Sequence, residues 1–78
     1  MNSIAYDVFL DVVHEECPIP TIRTKVVLDT MQSGAVLKVV TERDGAVRNI
    51  HTFVKSNAHE LIHEDKANDV YALYIRKG

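Results

Sequence analysis

The sequence predicts a two-layer α+β fold, a sandwich with elements in the order β-α-β-α-β-β. Three observations lead there: four short runs rich in β-branched and aromatic residues, two stretches with helical apolar spacing, and turn residues at the junctions. A four-stranded mixed sheet with both helices on one face is the natural packing for this order.

Residues 5–11, Ala-Tyr-Asp-Val-Phe-Leu-Asp, read as the first strand, with Tyr6, Val8 and Leu10 on one face and Asp7 and Asp11 on the other. His14-Glu15-Glu16 makes a polar loop. Pro18 and Pro20 suit the first turn of a helix, where a missing N–H is harmless. That helix is predicted over residues 18–33 and stopped by Gly34. Ile19, Ile22 and Val26 form its apolar stripe, Val27 and Met31 widen it, and Thr21, Lys25, Asp29 and Gln32 take the wet side. Residues 36–42 make the second strand, with Lys38 and Glu42 on a partly exposed side. Asp44-Gly45 is turn chemistry with Asp44 as helix cap. Val47, Ile50, Phe53 and Val54 carry the second helix to about Ser56, and Asn57 ends it in a left-handed conformation. Residues 60–63 form a short third strand and Asn68-Asp69 a turn. Residues 70–76 are the last strand, alternating Tyr71, Leu73 and Ile75 against Ala72, Tyr74 and Arg76.

Residues 1–78 read as a single domain, too small for a second core. The composition, 46% hydrophobic and 26% charged with few glycines and prolines, excludes a disordered, collagen-like or disulfide-scaffolded chain. A net charge of −2 argues against broad phosphate-backbone binding, so no direct nucleic-acid contact is expected. The N-terminal apolar stretch has no basic leader and is broken by Asp7 and Asp11, and no segment reaches membrane-spanning length. A single cysteine forms no internal disulfide, which fits a reduced thiol and a cytoplasmic location.

That cysteine, Cys17, opens the run Cys17-Pro18-Ile19-Pro20 at a helix start, where free backbone N–H groups and the helix dipole favour a thiolate. The prolines fix the following backbone and remove two first-turn donors, leaving the N–H groups of Ile19 and Thr21. Glu15 and Glu16 oppose a second negative charge, so a strongly acidic thiol is not expected. The competing reading makes Cys17 a small hydrophobe in a strand-to-helix joint. The prolines and the polar approach favour an exposed reactive thiol.

Leu10-Asp11, Cys17-Pro18-Ile19-Pro20, Ile22-Arg23-Thr24-Lys25 and Met31-Gln32-Ser33-Gly34 together resemble the TusA/SirA family of sulfur-carrier proteins. The similarity continues through Asp44, Ile50, Phe53 and Asn57-Ala58-His59-Glu60-Leu61, and Cys-Pro-x-Pro is the family signature. The resemblance implies a sulfurtransferase-type carrier in which Cys17 holds sulfane sulfur as a persulfide, with no cofactor beyond that covalent sulfur. It implies a donor protein (cysteine desulfurase or rhodanese-like) or thiosulfate, and an acceptor protein serving tRNA thiolation, molybdenum-cofactor assembly or sulfur oxidation. Leu10-Asp11-Val12-Val13 is similar to the YeeD-like branch, whose members work with a thiosulfate-transporting membrane protein. Two positions depart from the family pattern: His14 and Ala58 stand where glycine is frequent. The alternative is a non-catalytic regulatory or RNA- or protein-binding module on the same fold.

His14 offers a proton or positive charge near the thiol, or is a solvated loop residue. Thr21, Arg23 and Lys25 are candidate partner or anion contacts, with Arg23 elsewhere around the helix; Lys25–Asp29 also reads as a simple i,i+4 pair. His59-Glu60-Leu61-Ile62-His63 matches H-E-x-x-H, a metal motif that works on a helix, where its histidines lie about 6 Å apart. In a strand the same spacing spans about 13 Å, so no metal site is expected. Tyr74 and Ala72 fall on the sheet face away from the helices, open to a dimer or partner.

Overall fold

The computed structural model describes residues 5–16 and 19–78. Its elements are β1 (Val8–Asp11), α1 (Ile19–Asp29), β2 (Val36–Thr41), α2 (Asp44–Ser56), β3 (Glu60–Ala67) and β4 (Val70–Arg76). The four strands form one mixed sheet in the order β1-β2-β4-β3. β1 runs parallel to β2, a pairing that requires a crossover, which α1 provides. β4 lies antiparallel between β2 and β3, so the final hairpin inserts its second strand into the centre. The α+β architecture and element order are those predicted.

Both helices cover one face. Leu10, Leu37, Val39, Leu73 and Ile75 alternate inward along the strands and meet Leu28 of α1 and Val47, Ile50 and Val54 of α2. The second helix packs on the residues its periodicity predicted. The first does not. Pro20, Thr24 and Leu28 are its buried residues, with Val27 and Met31 packed beside them, whereas Ile19, Ile22 and Val26 are 41%, 52% and 58% exposed. The helix has apolar residues on opposite sides, and Thr24 can be buried because its hydroxyl donates to the Pro20 carbonyl at 2.7 Å.

Several boundaries also shift. α1 ends at Asp29 rather than Ser33, where Thr30 and Met31 tighten into bonds three residues back and the Thr30 hydroxyl donates to the Val27 carbonyl. Gly34, at φ 90°, lies in the following loop, and the Lys77 ammonium bonds the Leu28 carbonyl. Tyr6 precedes β1 and joins Phe9 and Tyr74 on the open face, instead of siding with Val8 and Leu10. β2 ends one residue earlier than predicted, at Thr41. Asp44 is the first helical residue of α2, not its cap; its carboxylate accepts the Tyr71 hydroxyl, and Arg43 is the cap position. The left-handed residue after α2 is Ala58, at φ 60°, whereas Asn57 has φ −118°.

β3 is twice its predicted length. Asn68 and Asp69 both have positive φ, which closes a two-residue hairpin and extends pairing to Ala67↔Val70 despite the polar Glu64-Asp65-Lys66. Tyr74 does sit on the face away from the helices, but Tyr6, His63 and Lys38 cover it.

Candidate functional site

The backbone frames the motif from both sides. After β1, Val12 is buried and its N–H donates to the Val40 carbonyl at 3.0 Å. The Asp11 carboxylate accepts the Val13 N–H, and Glu15 N–H donates back to the Val12 carbonyl at 3.1 Å, turning the chain. Beyond the motif's first half, Ile19 N–H donates to the Glu16 carbonyl at 2.8 Å and Pro20 is buried. Pro20 thus anchors the start of α1 in the core. Cys17 and Pro18, the predicted thiol and its first proline, lie outside the described residues.

The flanking charges are partly settled. Arg23 reaches back along α1 to Glu15, Nη1 to Oε2 3.2 Å. The sequence reading sent Arg23 elsewhere around the helix; instead it offsets one of the two carboxylates beside the motif. His14 is a solvated loop residue, its side chain 93% exposed and its Nδ1 4.0 Å from Glu42. Lys25 forms its i,i+4 pair with Asp29 at 3.1 Å, both exposed. Thr21 is half-buried, and its hydroxyl oxygen is shielded from solvent with no partner among the described residues. Glu16 lines a cleft of about 470 Å³ with Glu42, Arg43 and the first turn of α2. This group, brought up from the β2–α2 junction, was not foreseen in the sequence.

The more consequential addition is the outward face of α1. Ile19, Ile22 and Val26 recur at i, i+3 and i+7, point away from the sheet, and begin two positions after Cys17 in the sequence. The sequence contained these residues as a stripe, but assigned it to the core. Arg23–Glu15 and Lys25–Asp29 lie alongside it.

The H-E-x-x-H match carries no shared metal geometry. His59 stacks by Phe53 on the helix side, ring centres 5.7 Å apart, while His63 faces Tyr74 on the open side, at 5.6 Å. A bulge between Leu61 and His63 lies within this stretch, and His63 pairs with Asp65 at 2.9 Å. Among the described residues no group of three or more His, Cys, Asp or Glu is arranged to hold a metal.

The family model described as sulfurtransferase TusA matches residues 8–77. The chain is 32% identical over 73 residues to the sulfur carrier protein TusA of Allochromatium vinosum, covering 94% of this chain and 96% of that one. It is likewise 32% identical over 72 residues to YrkI of Bacillus subtilis, covering 92% and 96%. The crystal structure of a SirA-like protein from Desulfitobacterium hafniense superposes with a TM-score of 0.82 at 24% identity, over 92% of this chain and 99% of that one, and shares the fold. The family match spans the motif, both helices and all four strands: the chain belongs to the TusA sulfurtransferase family.

Proposed function

We propose that this protein is a sulfur carrier that holds sulfane sulfur on Cys17 and passes it to a partner protein. The supporting observation is the pairing of a Cys-Pro-x-Pro thiol with an uncovered apolar helix face, Ile19, Ile22 and Val26, immediately after it in the chain. A carrier must present its cargo to another protein's active site, and an outward apolar face that follows the thiol within a few residues of sequence serves docking better than a substrate cleft does.

The chemistry balances without an external oxidant. The Cys17 thiolate attacks the outer sulfur of a donor persulfide; the donor's S–S bond breaks, its thiolate leaves, and Cys17–S–SH forms. An acceptor thiolate then attacks that outer sulfur and Cys17 departs as thiolate. With thiosulfate as donor, the same attack on sulfane sulfur expels sulfite. No cofactor enters, since the sulfur stays covalently bound. Arg23, held on Glu15, reduces the negative field opposing the thiolate. Lys25, Thr21 and the solvated His14 are the remaining candidate contacts for an anionic donor or a partner surface.

A cysteine desulfurase, a rhodanese-like protein or a thiosulfate-transporting membrane protein are the donor-side partners of this reading, in the cytoplasm. No helix among the described residues is long and apolar enough to cross a membrane. The test is intact mass after incubation with thiosulfate, or with a desulfurase plus cysteine, read before and after reductant. A reducible gain of one sulfur, lost in Cys17→Ala, is expected. No gain from any donor, with partner binding intact in Cys17→Ala, would replace the carrier with a non-catalytic binding module.

A further inference from the structure

A second surface lies between α2 and the edge strand β3. Arg48, His51, Thr52 and Lys55 recur at i, i+3, i+4 and i+7 on one face of α2 and line a groove of about 480 Å³ with His59, Leu61 and the single carboxylate of Glu60. Its charges are unusual for a chain of net charge −2. Elsewhere Arg23 pairs with Glu15, Lys25 with Asp29, Arg76 with Glu60 and Lys77 with the Leu28 carbonyl, Lys38 and Lys66 sit over aromatic rings, and Arg43 lines the cleft that Glu16, Glu42 and Asp44 share. Arg48 and Lys55 have no partner among the described residues. The carboxylates nearby are already engaged: Glu60 by Arg76, and Glu64 by His51 Nε2 at 2.6 Å. His59 Nδ1 accepts the Gly78 N–H, which leaves the ring proton on Nε2 as a further donor. Arg48, Lys55 and the His59 Nε2 proton are thus donors without acceptors beside a floor containing Leu61 and the buried Val54, while His51 and Thr52 are engaged by Glu64 and the Arg48 carbonyl.

We propose that this groove docks an extended, carboxylate-bearing segment of a partner protein. Its carboxylates bind Arg48 and Lys55 and an aliphatic side chain covers the Leu61–Val54 floor. From position 48 to 55 the helix rises about 10 Å, the reach of about three extended residues. The apolar floor of Leu61 and Val54 offers nothing to a free oxyanion or to a run of backbone phosphates, and is matched by an aliphatic side chain set beside the carboxylates. This docking is independent of the persulfide reading and is expected unchanged in Cys17→Ala.

The test titrates isotope-labelled protein at low salt with an acetylated peptide of alternating glutamate and leucine, following backbone amide shifts by NMR. Shifts are expected along α2 and β3, and Arg48→Gln with Lys55→Gln is expected to weaken binding about tenfold. Lys66→Gln, at a lysine outside the groove, shows the effect of removing one surface cation elsewhere and is expected to bind as the parent does. Every substituted side chain is exposed, and the spectra themselves report folding. Shifts elsewhere or none at all, an unweakened double variant, or equal occupancy of the groove by oligothymidylate or inorganic phosphate would overturn the proposal.

Discussion

Replacing Ala58 with glycine is expected to stabilise this protein, and the structure sets the size of the effect. Helix α2 closes with the Asn57 N–H on the Phe53 carbonyl at 3.1 Å and the His59 N–H on the Val54 carbonyl at 3.2 Å. The second bond spans a Schellman-type turn, which requires a left-handed residue between, and the His59 ring packs on Phe53 as such turns favour. Ala58 occupies that position at φ 60°. A Cβ there costs roughly 1–2 kcal/mol. Glycine removes this strain but adds about 0.5–1 kcal/mol of unfolded-state entropy. The Ala58 side chain is exposed, so its loss sacrifices little burial. The net expectation is a gain of about 0.5–1 kcal/mol, or roughly 2–8 °C in Tm for a domain of this size. Urea and thermal unfolding followed by circular dichroism measure it, with Ala58→Val as the opposite perturbation, expected to destabilise by about 1 kcal/mol or more. A midpoint unchanged or lowered in Ala58→Gly would refute the strain argument.

The outward face of α1 yields a functional counterpart. Ile22→Ser with Val26→Ser is expected to leave the unfolding free energy from urea titration within about 0.5 kcal/mol of the parent while slowing sulfur delivery to an acceptor protein; equal transfer rates would remove this face from docking. Leu28, fully buried on the opposite side of the same helix, behaves otherwise: Leu28→Ala is expected to cost about 2–5 kcal/mol, measured by chemical denaturation. That is a large share of the roughly 4–12 kcal/mol typical of a chain this long. For His59, burial first and then the nearby Lys77 lower the pKa from 6.5, with Asp29 acting in the opposite direction. The unfolded chain therefore binds this proton more readily, so the contribution of His59 is present above pH 6.5 and lost as pH falls through the lowered folded value. Urea midpoints between about pH 5 and pH 8 are expected to show this acid-side loss, and His59→Phe to flatten that part of the profile.

Local chemistry made much of the molecule legible. Tyr71, Leu73 and Ile75 against Ala72, Tyr74 and Arg76 is a period-two pattern that only a strand satisfies, and β4 has the predicted bounds. Val47, Ile50 and Val54 fall on one side of α2 amid polar neighbours, so only one face of that helix can be buried. Cys17-Pro18-Ile19-Pro20 marked the motif and its family before any packing was known. β3 was harder: Glu64-Asp65-Lys66 has no strand propensity, and its pairing is imposed by the Asn68-Asp69 turn and by β4 across from it.

The sequence by itself determined the element order, the Asn68-Asp69 turn and the Cys-Pro-x-Pro motif, because these depend on residue type and short-range spacing. Tertiary structure alone decided which side of α1 faces the sheet. Ile19, Ile22 and Val26 compete with Pro20, Thr24, Val27, Leu28 and Met31 as apolar stripes, and periodicity cannot rank two opposed faces. The choice came from packing: Leu28 and Pro20 fill the core, and Thr24 joins them by satisfying its hydroxyl on the Pro20 carbonyl. That choice leaves Ile19, Ile22 and Val26 exposed beside the motif, so the docking face of the proposed carrier follows from which stripe the core accepted.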